Sequence, residues 1–267
     1  MRYACVELDG EERDVVLVDY PVEGDLTVQL LDAPLRRSGA PTGPALGVPR
    51  GALRAPLRPG KIVCVGQNYR KHAVELGKPV PEQPLLFLKA NSSVVGPGAP
   101  ILRPPESERV DHEGELGVVI GSRMCDVSAD EALRHVLGYV AANDVTARDL
   151  QRLDVQFTRA KSFDTFCPLG PFIETTLDPA DVAIRVDVNG VLRQDGHTSD
   201  MVFSVPTLLA YISAVMTLEP GDLVLTGTPS GVGPLVQGDV VSVSLSALGT
   251  LSNPVTTRTR GPDIVGP

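Results

Sequence analysis

No apolar run in this chain goes far before a glycine or a proline interrupts it. The sequence holds 26 glycines and 24 prolines in 267 residues. Proline fixes φ and removes a backbone donor, whereas glycine leaves the backbone unrestrained, so both end regular elements. Punctuation this dense excludes a helical bundle and implies short strands joined by turns. It also leaves no run near the roughly 18 apolar residues that a membrane span needs. The N-terminal MRYACVELDGEERD carries charges throughout, unlike a secretory signal.

The apolar runs that remain fall into an order. Residues 3–8 and 15–18 read as two strands around a DGEE turn. Residues 33–60 are rich in Pro, Gly and Arg and read as a connecting segment, which puts a boundary near residue 58. The expected organisation is a small N-terminal β region and linker over 1–58, then a larger domain over 59–267. KIVCVG (61–66), LLFLK (85–89), ELGVVIG (115–121) and GYVAAND (138–144) have the length and flanks of buried strands. Further strands are expected near 182–188, 222–226, 239–245 and 254–259. Short helices are expected over YRKHAVEL with Asn68 as cap and Gly77 as stop, near 128–136, near 145–151, and over 205–217 with Ser204 as cap. The class is a mixed α/β, β-rich fold with few short helices.

Charge and cysteine usage narrow the function. The net charge of −9 argues against a nucleic-acid surface, which needs clustered Lys and Arg. Cys5, Cys64, Cys125 and Cys167 lie far apart with no CxxC spacing. Neither a zinc site nor a disulfide scaffold fits, so the cysteines read as packing residues of a reduced, cytoplasmic protein. LTGTPSGVG (225–233) is a Gly-rich loop without the Lys-Ser/Thr ending of a phosphate loop. Its N–H groups and Thr228 are candidates for holding a carboxylate or oxyanion.

VDHEGELGVVIG carries the most chemistry. Glu113 and Glu115 are two apart where an apolar strand opens, and strand side chains alternate faces, so both project to one side. Two carboxylates on one face repel unless a proton or cation separates them. Asp144 ends a second apolar run. The three acids suit a hard divalent cation, while a solvated strand face remains the plain alternative. His112, between Asp111 and Glu113, points to the other face and reads as structural. His72 and Glu75 are one helical turn apart, a spacing that fits either a carboxylate-oriented base or an ordinary surface pair. Lys161, in FTRAKSFDTFCPLGPF, is a candidate for stabilising a developing oxyanion. Arg148 and Gln151 follow Asp144 at helical spacing.

The blocks KIVCVGQNYRKHAVELG, PLLFLKANSSVVGPG, DHEGELGVVIG, ANDVTARDLQ, RAKSFDTFCPLGP and ISAVMTLEPGDLVLTGTPSGVGPL resemble, in order, the catalytic domain of the fumarylacetoacetate hydrolase family. The resemblance runs over roughly residues 60–256. It implies a coiled β-sandwich roll and a homodimer. It assigns Glu113, Glu115 and Asp144 to a metal, Mg²⁺ or Mn²⁺ with Ca²⁺ as an alternative, and His72, Glu75 and Lys161 to catalysis. Gln151 and Thr228 fall on its substrate contacts, and Tyr69, Arg70, Lys89 and Gln194 are further candidates for that role. The implied substrates are 2-oxo acids and 1,3-dicarbonyl compounds. The expected reaction is hydrolytic C–C cleavage of an acylpyruvate or decarboxylation of oxaloacetate. Isomerisation or hydration of a 2-hydroxy-dienedioate, or a biosynthetic cyclisation or dehydration, are the alternatives.

Overall fold

The computed structural model describes residues 1–21, 23–35 and 39–259. Residues 36–38 of the expected linker and 260–267 of the expected catalytic domain lie outside them.

Each apolar run read from the sequence forms a strand. Ile62–Gly66, Leu85–Lys89, Gly114–Ile120, Val136–Asn143 and Leu223–Leu225 lie together in one large twisted sheet. Gly114–Ile120 sits between Val136–Asn143 and Leu223–Leu225, antiparallel to both. Leu223–Leu225 pairs parallel with Ile62–Gly66. A second sheet of five strands includes Ala183–Val188, Val240–Leu245 and Gly249–Thr257.

The main core lies between the two sheets. From the large sheet it takes Leu116, Val118, Ile120 and Ala141; from the small one it takes Ile184, Val186, Val243 and Leu251. The helix Val205–Val215 adds Leu208, Leu209 and Ile212. Ser204 caps that helix by accepting the Thr207 N–H, with Pro206 in its first turn. The opposite face of the large sheet buries Ile62, Val119, Ala142 and Leu225. Strands buried on both faces read as unbroken apolar runs, because alternation appears only where one face meets water.

Three local expectations change. Asn68 does not cap the helix Arg70–Glu75; its side chain is spent on Phe203 and Thr226. Gly77, at φ +66°, does stand just beyond that helix. The 33–60 segment is not only a connection, since Pro41–Val48 forms an edge strand whose exposed side chains gave no alternation to read. Cys167–Glu174, a Pro/Gly-rich stretch without a strand signal, is a central strand containing a cis Gly170–Pro171 peptide. It tolerates its prolines because its outer neighbours pair only with its ends: Cys167 and Pro168 with Val94 and Val95, Ile173 and Glu174 with Tyr3 and Arg2. Through that pairing the N-terminal strands join the large sheet. They also have a core of their own, around Val6, Val15, Leu26 and Val28, with Phe172 packed into it.

Candidate active site

Strand register assembles the acids. Gly114 pairs with Asn143 and Glu115 with Ala142, so the ends of two neighbouring strands bring Asp144 beside Glu113. The Asp144 N–H donates to the Glu113 carbonyl at 2.8 Å. Glu115 shares a strand face with Val119, opposite the main core. Ligand oxygens of Glu113, Glu115 and Asp144 all lie within 4.8 Å of one another, and all three residues are buried.

Cations surround this triad. Lys161 Nζ donates to Glu113 Oε2 at 2.7 Å and to Asp144 Oδ2 at 2.6 Å. Lys89 Nζ donates to Asp144 Oδ1 at 2.6 Å. Arg148 pairs with Glu113 and, through Nε, with the fully buried Asp111 at 3.0 Å. The charges divide the carboxylates. Burial alone would raise Glu113, but Lys161 and Arg148 overcome it and hold that carboxyl below its ordinary value. Burial, then the charges of Asp144 and Glu113, push Glu115 well above its ordinary value. Lys161 is raised in spite of its burial, because Asp144 and Glu113 favour its charged form. Among the described residues, Glu113 and Asp144 are paired with lysine or arginine while Glu115 is not, and three carboxylates in a compact all-oxygen donor set are what a hard divalent cation fits.

A cavity of about 490 Å³ opens over the triad. His72 reaches it from the helix Arg70–Glu75. His72 Nδ1 lies 3.0 Å from Glu75 Oε2. A carboxylate only accepts, so Nδ1 carries a proton, and in the neutral ring Nε2 is the nitrogen with the lone pair. Glu75 is itself anchored by the Gly231 N–H at 3.0 Å. Gln151 also lines the cavity, and its Oε1 accepts from Arg148 Nη1 at 2.7 Å. The amide nitrogen of Gln151 is therefore left as a donor.

Residues 226–233 tie the two halves of the site together. The Gly227 N–H donates to Glu115 Oε2 at 2.7 Å, while Gly231 holds Glu75. Both glycines are required. Gly227 has φ +97° with Asn68 Cβ 2.8 Å from where its own Cβ would stand, and at Gly231 a Cβ would meet the Arg193 carbonyl at 2.1 Å. Between them Thr228 Oγ1 donates to the Gly114 carbonyl at 2.8 Å and accepts from Gln194 Nε2 at 2.8 Å.

This allocation sets where the expected substrate contacts lie. Thr228 lines the cavity as expected, with its hydroxyl proton directed at the Gly114 carbonyl. The Lys89 amine is fully enclosed against Asp144 and the Val145 carbonyl, and Lys89 does not line the cavity. Tyr69 is buried and Arg70 exposed, and neither lines the cavity. Gln194, expected with Tyr69, Arg70 and Lys89 as a pocket contact, is buried at the centre of the network and does not line the cavity, while Gln67 on the cavity wall carried no motif that set it apart in the sequence. His112 does face away from the acids, with Nδ1 3.1 Å from Gln194 Oε1.

Fold and site define a β-rich roll with a deep cavity over a buried carboxylate triad and a His–Glu pair. A family model described as the fumarylacetoacetate (FAA) hydrolase C-terminal domain matches residues 61–256, and the chain belongs to this family of enzymes. Protein Rv2993c of Mycobacterium tuberculosis is 48% identical over 222 residues, covering 81% of this chain and 84% of its own. The mitochondrial oxaloacetate tautomerase fahd2 of Xenopus laevis is 46% identical over 217 residues, covering 76% and 68%. The crystal structure of 5-carboxymethyl-2-hydroxymuconate delta-isomerase from Mycobacterium smegmatis superposes with a TM-score of 0.88 at 42% identity, covering 97% of this chain and 100% of that one. Among the described residues, no helix is long and apolar enough to cross a membrane.

Proposed function

We propose that this protein is a divalent-metal-dependent enzyme that moves a proton between carbon and oxygen of a 2-oxo acid, as a tautomerase or double-bond isomerase. The observation that carries this reading is the buried Glu113–Glu115–Asp144 triad facing His72 across one cavity. The sequence alone favoured cleavage or decarboxylation. The relatives named as a tautomerase and an isomerase shift the weight to proton transfer without loss of a carbon fragment.

Mg²⁺ or Mn²⁺ held by Glu113, Glu115 and Asp144 supplies Lewis-acid polarisation of the bound carbonyl. The protein's own groups do the rest. His72 Nε2 has the free lone pair and takes the proton from the carbon next to the carbonyl. Glu75 fixes the ring and favours the imidazolium that results. The displaced electrons move to the carbonyl oxygen, where the nearby charge of Lys161 favours them. The proton is then returned to oxygen, so the reaction is balanced without a co-reactant. The Gln151 amide nitrogen is placed to bind a substrate carboxylate.

The second reading is hydrolytic C–C cleavage, favoured by the same His72–Glu75 pair, which is equally suited to activating water. The test uses the full chain with Mg²⁺ or Mn²⁺ on oxaloacetate enol, a 2-hydroxy-dienedioate and an acylpyruvate. Metal-dependent decay of the enol absorbance, lost with a chelator and in Glu115→Ala, is the expected result. Acylpyruvate hydrolysis without tautomerisation or isomerisation would install the second reading. Turnover indifferent to chelator would overturn both.

A further inference from the structure

The strand Ile62–Gly66 enters the cavity wall and turns sharply before the helix that carries His72. Gln67 makes that turn with φ +58°, in the left-handed region where glycine is the default and a long side chain is costly. Its neighbour explains why the backbone has no other choice. Asn68 is fully buried, and its side chain donates to the Phe203 carbonyl at 3.0 Å and the Thr226 carbonyl at 2.8 Å and accepts the Phe203 N–H at 2.9 Å. The Asn68 carbonyl accepts the Val202 N–H at 2.7 Å. These bonds pin residue 68, and residue 67 absorbs the bend.

A glycine at 67 would make this turn without strain. The chain instead carries a glutamine there, half-buried on the wall of the cavity that also holds His72, Glu115 and Thr228. Among the described residues, no side chain or backbone group hydrogen-bonds to its carboxamide. Strain that the surroundings impose, at a residue whose polar group has no work within the fold, is characteristic of a ligand-binding position. We infer that Gln67 is a specificity-determining residue whose carboxamide hydrogen-bonds the 2-oxo acid held over the triad. This rests on the proposed function for the class of ligand but not for the turnover. A neutral amide supplies donor and acceptor without altering the charge balance at the cavity floor. The site therefore discriminates at this position by hydrogen bonding, where an unpaired partner is penalised most.

The test compares the full chain, loaded with Mg²⁺, with Gln67→Gly, Gln67→Asn and Gln67→Glu. The binding probe is 3,3-dimethyloxaloacetate, which has no C3 proton to lose, with affinity read by calorimetry and Tm measured in parallel. Gln67→Gly relieves the backbone, so its Tm holds or rises, while its affinity falls about tenfold, the loss expected for one good hydrogen bond to a charged group. Gln67→Asn, which also accepts a left-handed backbone, loses less affinity than the glycine variant. Gln67→Glu, which places a carboxylate against a dianion, loses more. Wild-type binding without turnover of any substrate would sink the proposed reaction and leave this inference standing. Affinities within twofold of wild type in the Gly and Glu variants would overturn it. So would a Gly variant that loses several degrees of Tm, or a wild type that does not bind the probe.

Discussion

Replacing Gln194 with leucine isolates the network that joins the two halves of the site. The Gln194 side chain is fully buried. Its Oε1 accepts from His112 Nδ1 at 3.1 Å and from the Gly114 N–H at 3.0 Å. Its Nε2 donates to Thr228 Oγ1 at 2.8 Å and to the Pro229 carbonyl at 2.7 Å. Leucine has nearly the same volume and none of these bonds. Each buried group left unpaired costs about 1–3 kcal/mol. Thr228 keeps its bond to Gly114, and leucine adds some apolar burial, so the net loss is about 3–5 kcal/mol. At this chain length that lowers Tm by about 6–10 °C. Gln194→Glu keeps the acceptors, loses the donors and falls between. The loop that Gln194 steadies carries Gly227, which holds Glu115, and Gly231, which holds Glu75, so cation affinity and kcat both decline. Calorimetric melting and urea titration read the stability, and Mn²⁺ titration reads the cation site. A destabilisation under about 1 kcal/mol would refute the reasoning, because unpaired buried groups cannot be that cheap.

Other parts of the molecule give independent tests. Burial, Asp144 and Glu113 keep the Glu115 carboxyl protonated well above its ordinary range, so a bound cation must displace a proton; Mn²⁺ affinity should weaken as pH is lowered, and calorimetry in buffers of different ionisation heat that shows no proton release would count against this. Lys89→Met should weaken cation affinity about 10- to 100-fold by freeing Asp144, with substrate KM unchanged at saturating metal; a raised KM there would return Lys89 to the substrate contacts. Glu174 resists burial through hydrogen bonds from Thr176 and Arg2, which hold its carboxyl at about 2 instead of 4.5. Its folded value is depressed, so its contribution is complete above pH 4.5 and fades as pH falls towards 2. Glu174→Gln should then cost about 2 kcal/mol at neutral pH, allowing for its partial contact with water, and almost nothing at the acid end. A penalty that does not change with pH would point to packing instead.

The amino-acid sequence determined what depends on near neighbours. Two-residue spacing marked Glu113 and Glu115 as a pair, although Glu113 stands between the strands Val110–His112 and Gly114–Ile120 and not on one strand face with Glu115, and apolar runs ending at turn residues marked Ile62–Gly66, Gly114–Ile120 and Val136–Asn143. Spacing brought His72 within reach of Glu75, and the ordered blocks pointed to the family that residues 61–256 match. Pattern failed where a strand's character comes from its partners. Cys167–Glu174 carries two prolines and pairs on its outer side only at its ends, and the exposed edge strand Pro41–Val48 has no face to alternate. Side-chain roles failed for the same reason. A lysine reads alike whether it meets substrate or, like Lys89, lies enclosed behind a carboxylate 55 residues away. The Thr228 hydroxyl reads as an open donor in the sequence, and in the fold it donates to the carbonyl of Gly114, 114 residues earlier. Gln67 showed nothing until Asn68 was tied to Phe203, 135 residues on. Local sequence sets which groups are present and which way a strand or helix turns them. Each donor has few protons to give, and only the folded chain decides who receives them.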